Sequence, residues 1–235
     1  MSAINALDDT IAAISTPLGE GGIGIVRLSG RDAFRIASKI FSSPKKRKLT
    51  GTETRRIIHG FILDPSTNAA IDEVLVSIMR APNTYTREDT VEINCHGGLL
   101  HLRKTLELLL NNGARLAEPG EFTKRAFLSG RIDLSQAEAV IDIIRAKTEA
   151  SRKIAIEQLS GSLSGKITLL RDSITGLCAQ IEAYIDFPED DIEPASKDLI
   201  SGGVCSVRDE LSLLSESFEE GRFFREGLRV AIVGK

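Results

Sequence analysis

The chain has 235 residues, 42% of them apolar and 27% charged, with a formal net charge of −3. That suffices for one large or two ordinary soluble domains and gives no electrostatic footprint for bulk nucleic-acid binding. Cys95, Cys178 and Cys205 fit neither a metal-ligand spacing nor a disulfide framework and point to a reducing cytosol; no apolar run approaches the roughly 20 residues that span a bilayer, and Asp8 and Asp9 stand where a secretory leader would be apolar.

Ile11 to Ile14 and Gly24 to Leu28 are short apolar runs on either side of the glycine-rich turn Gly19-Glu-Gly-Gly22. Arg31 to Phe41 reads as a helix, with Ala33, Ile36, Ala37 and Ile40 on one face. The basic run Lys45-Lys-Arg-Lys48 reads first as a solvated loop. Ile57 to Leu63, Glu73 to Met79 and Thr90 to Asn94 read as strands; Val74, Val76 and Ile78 alternate with Leu75, Ser77 and Met79. Leu99 to Leu110 reads as a helix closed by Asn111-Asn-Gly113. Strands and helices mixed without a strict βαβ rhythm predict an α+β fold.

Beyond residue 120 the strand signal disappears. A helix is expected from Leu134 to about Leu159, with Ala137, Val140, Ile141 and Ile144 inward. Leu163, Ile167, Leu170, Ile174, Leu177, Ile181 and Tyr184 step by threes and fours, as do Ile200, Val204, Val207, Leu211, Leu214 and Phe218. Two long helices with such seams, separated by Pro188 and Pro194, should pack antiparallel in a bundle. The chain is expected to leave this bundle at Gly221 for a terminal strand, Val230 to Val233, ahead of Gly234-Lys235. That ending is either the entrance to a phosphate-binding loop, with Gly234 as its first glycine, or an ordinary edge of an α/β domain.

Three stretches offer chemistry. In the first, Gly19, Gly21, Gly22 and Gly24 permit a tight turn or the close approach of a ligand, but Arg27 stands where a dinucleotide fingerprint needs its third glycine. Arg27 itself interrupts an apolar strand, so it either snorkels from an edge or meets an anion. In the second, Glu92 and Asn94 share one strand face, and a strand carboxylate facing a pocket accepts the paired N–H groups of an aminopyrimidinone edge; a solvent-facing strand is the plainer alternative. His96, before Gly97-Gly98, reads as a turn or helix-start residue, and with Cys95 it lacks partners at metal-ligand spacing. In the third, Pro119-Gly120 begins a turn and a short helix that Gly130 ends, Asp133 or Ser135 can cap the next helix, and Lys124, Arg125 and Arg131 form a small cationic cluster.

Together the strings Thr10-Ile-Ala-Ala-Ile-Ser-Thr-Pro-Leu-Gly-Glu-Gly-Gly-Ile-Gly-Ile-Val-Arg-Leu-Ser-Gly30, Tyr85-Thr-Arg-Glu-Asp-Thr-Val-Glu-Ile-Asn-Cys-His-Gly-Gly98 and Pro119-Gly-Glu-Phe-Thr-Lys-Arg-Ala-Phe-Leu-Ser-Gly-Arg-Ile-Asp-Leu-Ser-Gln-Ala-Glu-Ala139 resemble the MnmE (TrmE) family of tRNA modification GTPases. Tyr184-Ile-Asp-Phe-Pro-Glu-Asp-Asp-Ile192 and Arg225-Glu-Gly-Leu-Arg-Val-Ala-Ile-Val-Gly234 extend the resemblance over nearly the whole chain. It implies a tetrahydrofolate-binding and dimerisation domain over 1–119, the first part of a helical domain over 120–221, and the first strand of an inserted Ras-like GTPase domain over 222–235. It also implies a cytoplasmic homodimer that works with the FAD-dependent partner MnmG (GidA) on C5 of the wobble uridine of tRNA, away from membranes. The implied ligands are a 5-formyl or 5,10-methylene tetrahydrofolate, with GTP, Mg²⁺ and K⁺ in the GTPase domain.

By position, the implied folate contacts are Arg27, Glu92 and Arg131, the last a departure because the family often has lysine there, and a guanidinium is not an ammonium. The resemblance places no catalytic or metal residue in this chain and implies that it does not hydrolyse GTP by itself. A stand-alone folate-dependent one-carbon transferase and a purely structural dimerisation scaffold are the competing readings.

Overall fold

The structure, a computed structural model, describes residues 8–186, 197–226 and 231–234. The chain forms two compact units that divide between Ile132 and Asp133.

The first unit is built on a mixed sheet. Its elements run β1 (Ile11–Ile14), β2 (Gly21–Ser29), α1 (Ala33–Ile40), β3 (Phe41–Ser42), β4 (Arg56–Leu63), β5 (Ala70–Met79), β6 (Thr90–Gly97), α2 (Leu99–Asn111), β7 (Arg115–Leu116) and α3 (Glu121–Leu128). The strand order is β3-β4-β5-β6-β2-β1-β7, antiparallel throughout except for the β1–β7 pair. Period-two alternation sends Val26 and Leu28, Ile58 and Ile62, Val74, Val76 and Ile78, and Val91 and Ile93 to one face. There they pack with Ala33, Ile36, Ala37 and Ile40 of α1 and Leu102, Leu108 and Leu109 of α2. The intervening residues Ile23, Arg27, Ile57, Leu75, Ser77, Glu92 and Asn94 form the other face, where Ile23, Ile57 and Leu75 are exposed. With helices segregated to one face of the sheet and a helical unit following it, the fold is α+β.

Two glycines serve packing here. A Cβ on Gly24 would lie 2.6 Å from Leu102 Cδ1, so this glycine admits α2 rather than a ligand. A Cβ on Gly97 would lie 2.2 Å from the backbone oxygen of Gly21, where the β2–β6 register shifts.

The second unit contains α4 (Leu134–Arg145), α5 (Glu149–Leu159), α6 (Ser162–Asp186) and α7 (Lys197–Glu226). The single helix expected from Leu134 to Leu159 is two. Thr148 caps α5 by accepting from Ser151 N, while the Ser151 hydroxyl accepts from Thr148 N, and this reciprocal pair stops α4 from running on. The two helices are joined by amides, Gln136 Nε2 donating to Leu159 O and Gln158 Nε2 to Ser135 O. Their close contact buries Ala139 and Ala155, whereas Ile141 and Ile144, expected inward, are exposed. α6 and α7 meet where Gly203 faces Leu177. Among the described seam residues only Leu170 and Val207 are buried; Ile167, Ile174, Tyr184, Val204 and Leu211 are exposed.

Two expectations about the end of the chain change. α7 continues through Gly221 to Glu226. Ala231 to Gly234 adopt no regular structure, since an isolated strand has no ladder to join; the rest of the expected strand, like Pro188 and Pro194 of the linker, lies outside the described residues.

Because the obstacle at Gly97 is backbone, Gly97→Ala should lower stability by about 1–3 kcal/mol. Urea unfolding checks this, and an unchanged midpoint would contradict the close approach.

Candidate functional site

Arg27 of β2 and Glu92 of β6 are direct partners in the antiparallel ladder, so their side chains leave the same face side by side. Arg27 Nε donates to Glu92 Oε1 at 2.7 Å, and Nη2 stands 2.7 Å from the same oxygen. β2 lies between β6 and β1, which excludes an edge position; of the two roles open to Arg27, the structure selects the anion. Both side chains are partly buried. Because the two nitrogens converge on Oε1, Oε2 of Glu92 accepts no hydrogen bond among the described residues. Asn94, two residues on, donates through Nδ2 to Leu75 O at 2.9 Å.

Arg131 follows α3, after a turn in which Gly130 takes a positive φ of 70°. Its guanidinium lies over the Tyr85 ring, 4.8 Å from the centroid, and it forms no ion pair with Glu92. Phe122 on α3 faces the Arg27 guanidinium at 5.6 Å. The Tyr85 hydroxyl is 2.9 Å from Oγ1 of Thr123, the residue after Phe122. The three expected site residues are thus gathered around α3, with Arg27 and Glu92 in contact and Arg131 joined to them through Tyr85, Thr123 and Phe122. Sequence reasoning did not single out Tyr85 or Phe122, although both stand in the quoted strings.

What holds α3 against the sheet is Arg125. Expected as part of a cationic cluster with Lys124 and Arg131, it is instead buried, with 1% of its side chain accessible. It donates to Asp9 Oδ1, to Asp9 O at 2.8 Å, to Glu88 Oε1 at 3.0 Å and to Glu121 Oε1 at 3.1 Å. Arg115 closes the network through Asp9 at 2.5 Å and Glu121 at 2.5 Å. Burial disfavours the ionised form of Glu121, but hydrogen bonds from Arg115, the Glu118 amide and Arg125 outweigh it and hold the carboxyl at about 2. This network makes α3 part of the first unit, so the division falls later than the expected boundary after residue 119.

The expected turn residue His96 lies in β6. Its amide donates to Asp72 Oδ2 at 2.8 Å and its Nδ1 pairs with Asp72 Oδ1 at 2.5 Å. The hydrogen bond with Asp72 and that carboxylate's charge raise the imidazole pKa. Cys95 turns into the core, where burial pushes its thiol up to about 11 and leaves it unreactive.

The fit to a reduced folate rests on Glu92. It is a partly buried carboxylate with an uncommitted oxygen, on a sheet face that α1 and α2 leave open. Such an acceptor suits an amino-pterin edge, and the two guanidinium groups suit its carbonyl and carboxylate oxygens.

Residues 10–131 match the family model described as GTP-binding protein TrmE N-terminus, and residues 134–229 match the MnmE helical domain. Among curated proteins, the tRNA modification GTPase MnmE of Thermoanaerobacter pseudethanolicus is 56% identical over 227 residues, which are 97% of this chain and 49% of the relative. The protein of that name from Lysinibacillus sphaericus is 54% identical over 228 residues (97% and 50%), and that from Bacillus pumilus 52% over 228 (97% and 50%). The chain spans about half the length of the curated relatives it matches.

Two outcomes are expected from the buried network. Arg125→Met, which takes a buried cationic partner from Asp9, Glu88 and Glu121, should destabilise the first unit by about 3–5 kcal/mol in denaturant unfolding. The folded Glu121 carboxyl titrates at about 2 against an ordinary 4.5, so its contribution is complete above pH 4.5 and drains as pH falls through 2. The fall in unfolding midpoint between those pH values should be shallower in Glu121→Gln than in the unchanged protein; equal slopes would contradict the assignment.

Proposed function

This chain belongs to the MnmE (TrmE) family of tRNA modification GTPases, and from that membership we propose that residues 1–235 bind a one-carbon tetrahydrofolate and pair two subunits of a tRNA-modifying enzyme. The observation that carries the folate reading is the Arg27–Glu92 pair, set on the open sheet face with a carboxylate oxygen still uncommitted. Glu92 takes the amino-pterin edge, while Arg27 and Arg131 take the carbonyl or carboxylate groups. The bound 5-formyl or 5,10-methylene tetrahydrofolate supplies the one-carbon unit; the chain's own residues bind and orient it.

In the whole protein, this portion serves a GTP-hydrolysing enzyme that acts in the cytoplasm with the FAD-dependent partner MnmG on C5 of the tRNA wobble uridine. The first unit makes the homodimer contact, the second is the first part of a helical domain, and residues 222–235 lead into a GTPase domain that carries GTP, Mg²⁺ and K⁺. No helix among the described residues is long and apolar enough to cross a membrane.

Calorimetric titration of the 235-residue chain with 5-formyl-tetrahydrofolate tests the folate reading. Saturable binding is expected, weakened about tenfold or more in Glu92→Ala by loss of a charge-assisted hydrogen bond. Absence of binding, or binding indifferent to Glu92→Ala, would sink it. Residues 1–235 contain no Gly-x-x-x-x-Gly-Lys-[Ser/Thr] string. The chain by itself should therefore release no phosphate from GTP, with or without potassium, and measurable potassium-dependent release would refute this division of labour.

A further inference from the structure

Two aromatic rings stand behind the two cations of the site, and the contact positions do not account for them. Arg27 lies over Phe122 and Arg131 over Tyr85, at 5.6 and 4.8 Å from the centroids. Both rings depend on α3. Phe122 belongs to it, and the Tyr85 hydroxyl is tied to Thr123, the next residue along. Arg87 Nη1, donating to Ser129 O at 2.9 Å, ties the loop that carries Tyr85 to the far end of the same helix.

The chemistry of a guanidinium gives this arrangement a purpose. Its five N–H groups point outward in one plane, and its flat faces carry none. A ring that covers the face restrains the side chain while leaving every donor on the edge available to a ligand. A carboxylate partner would restrain the side chain too, but would consume those donors. The Arg131 side chain makes no ion pair or hydrogen bond among the described residues, so the Tyr85 ring is what holds it. Holding a long side chain in place before a ligand arrives lowers the ordering cost of binding.

We infer that Tyr85 and Phe122 are positioning residues of the ligand site: they hold Arg131 and Arg27 by their faces, which leaves the donor edge of Arg131, and those donors of Arg27 not given to Glu92, for carbonyl or carboxylate oxygens, and α3 sets both rings at once. This rests on the folate reading proposed above.

The test is a double-mutant cycle on the 235-residue chain, with 5-formyl-tetrahydrofolate as probe and thermal unfolding as the check on folding. Tyr85→Leu should weaken binding about 3- to 10-fold, the range of a partly desolvated cation–π contact. Tyr85→Phe, which keeps the ring and loses only the hydroxyl, should restore most of it. In an Arg131→Ala background Tyr85→Leu should cost nothing further, and Phe122→Leu should likewise cost nothing once Arg27 is alanine. Should Tyr85→Leu fail to fold, Tyr85→Met removes the ring while keeping an apolar side chain of similar reach, and the same pattern is expected: weaker binding with Arg131 present, no effect without it. The inference is overturned if Tyr85→Phe binds as weakly as Tyr85→Leu, or if the Tyr85→Leu loss persists undiminished without Arg131. Failure of the folate reading looks different: the unchanged chain does not bind, or Arg131→Ala binds as well as it does, and either result removes the inference as well.

Discussion

The arrangement of the first unit turns on one buried guanidinium. Arg125 sits on α3, and its partners come from the stretch before β1 (Asp9), the loop before β6 (Glu88) and its own helix (Glu121). Removing such a cation from water is costly, and only a shell of well-placed acceptors offsets the cost. That condition couples distant parts of the chain, because all three acceptors must be in place for the arginine to remain inside. Arg115, reaching both Asp9 and Glu121, extends the constraint to β7 and the sheet edge. An apolar side chain at residue 125 could fill the same space without demanding one orientation of α3; the ion network demands it.

The part of the candidate site that depends on α3 inherits that orientation. Phe122 and Thr123 precede Arg125 on α3, and Arg131 follows where the helix ends at the Gly130 turn. One helix therefore presents a ring to Arg27, an anchor to Tyr85 and a cation of its own. The remaining groups, Arg27 and Glu92, are fixed independently by strand register, which needs only β2 and β6 to pair as they do. The site joins a part set by backbone hydrogen bonds to a part set by buried charge, so disturbing the network should move Arg131 and Phe122 while leaving the Arg27–Glu92 register intact.

What was legible in the sequence follows the range of the interaction involved. Period two is local, so the strands, their buried faces and the shared face of Glu92 and Asn94 could be read directly. The role of Arg125 could not, because its partners lie far away in sequence and nothing near Lys124 or Arg131 distinguishes an arginine that will be buried. Tyr85 and Phe122 carry no periodic signal, and only the folded chain shows which cations they meet. The break between α4 and α5 is a different case: Thr148 and Ser151 form a local start signal, yet the apolar pattern on either side suggested one continuous helix. The seams of α6 and α7 were legible as periodicity, but periodicity does not say whether a partner covers them, and most of their residues are exposed.

The pairing of Glu92 with Arg27 also bears on what the site can accept. A partly exposed ion pair stabilises a fold by only about 0–1 kcal/mol, so Arg27 does not compete strongly for the carboxylate. It does balance the carboxylate's charge on a partly buried surface, with one oxygen already committed. A ligand that offers N–H donors to the other oxygen need not evict the arginine, whose face remains against Phe122. The carboxylate can then serve both partners, and the charge balance of the site hardly changes on binding. A neutral amino-pterin edge suits such a site better than a free cation, because it brings hydrogen-bond donors without bringing a second positive charge beside Arg27.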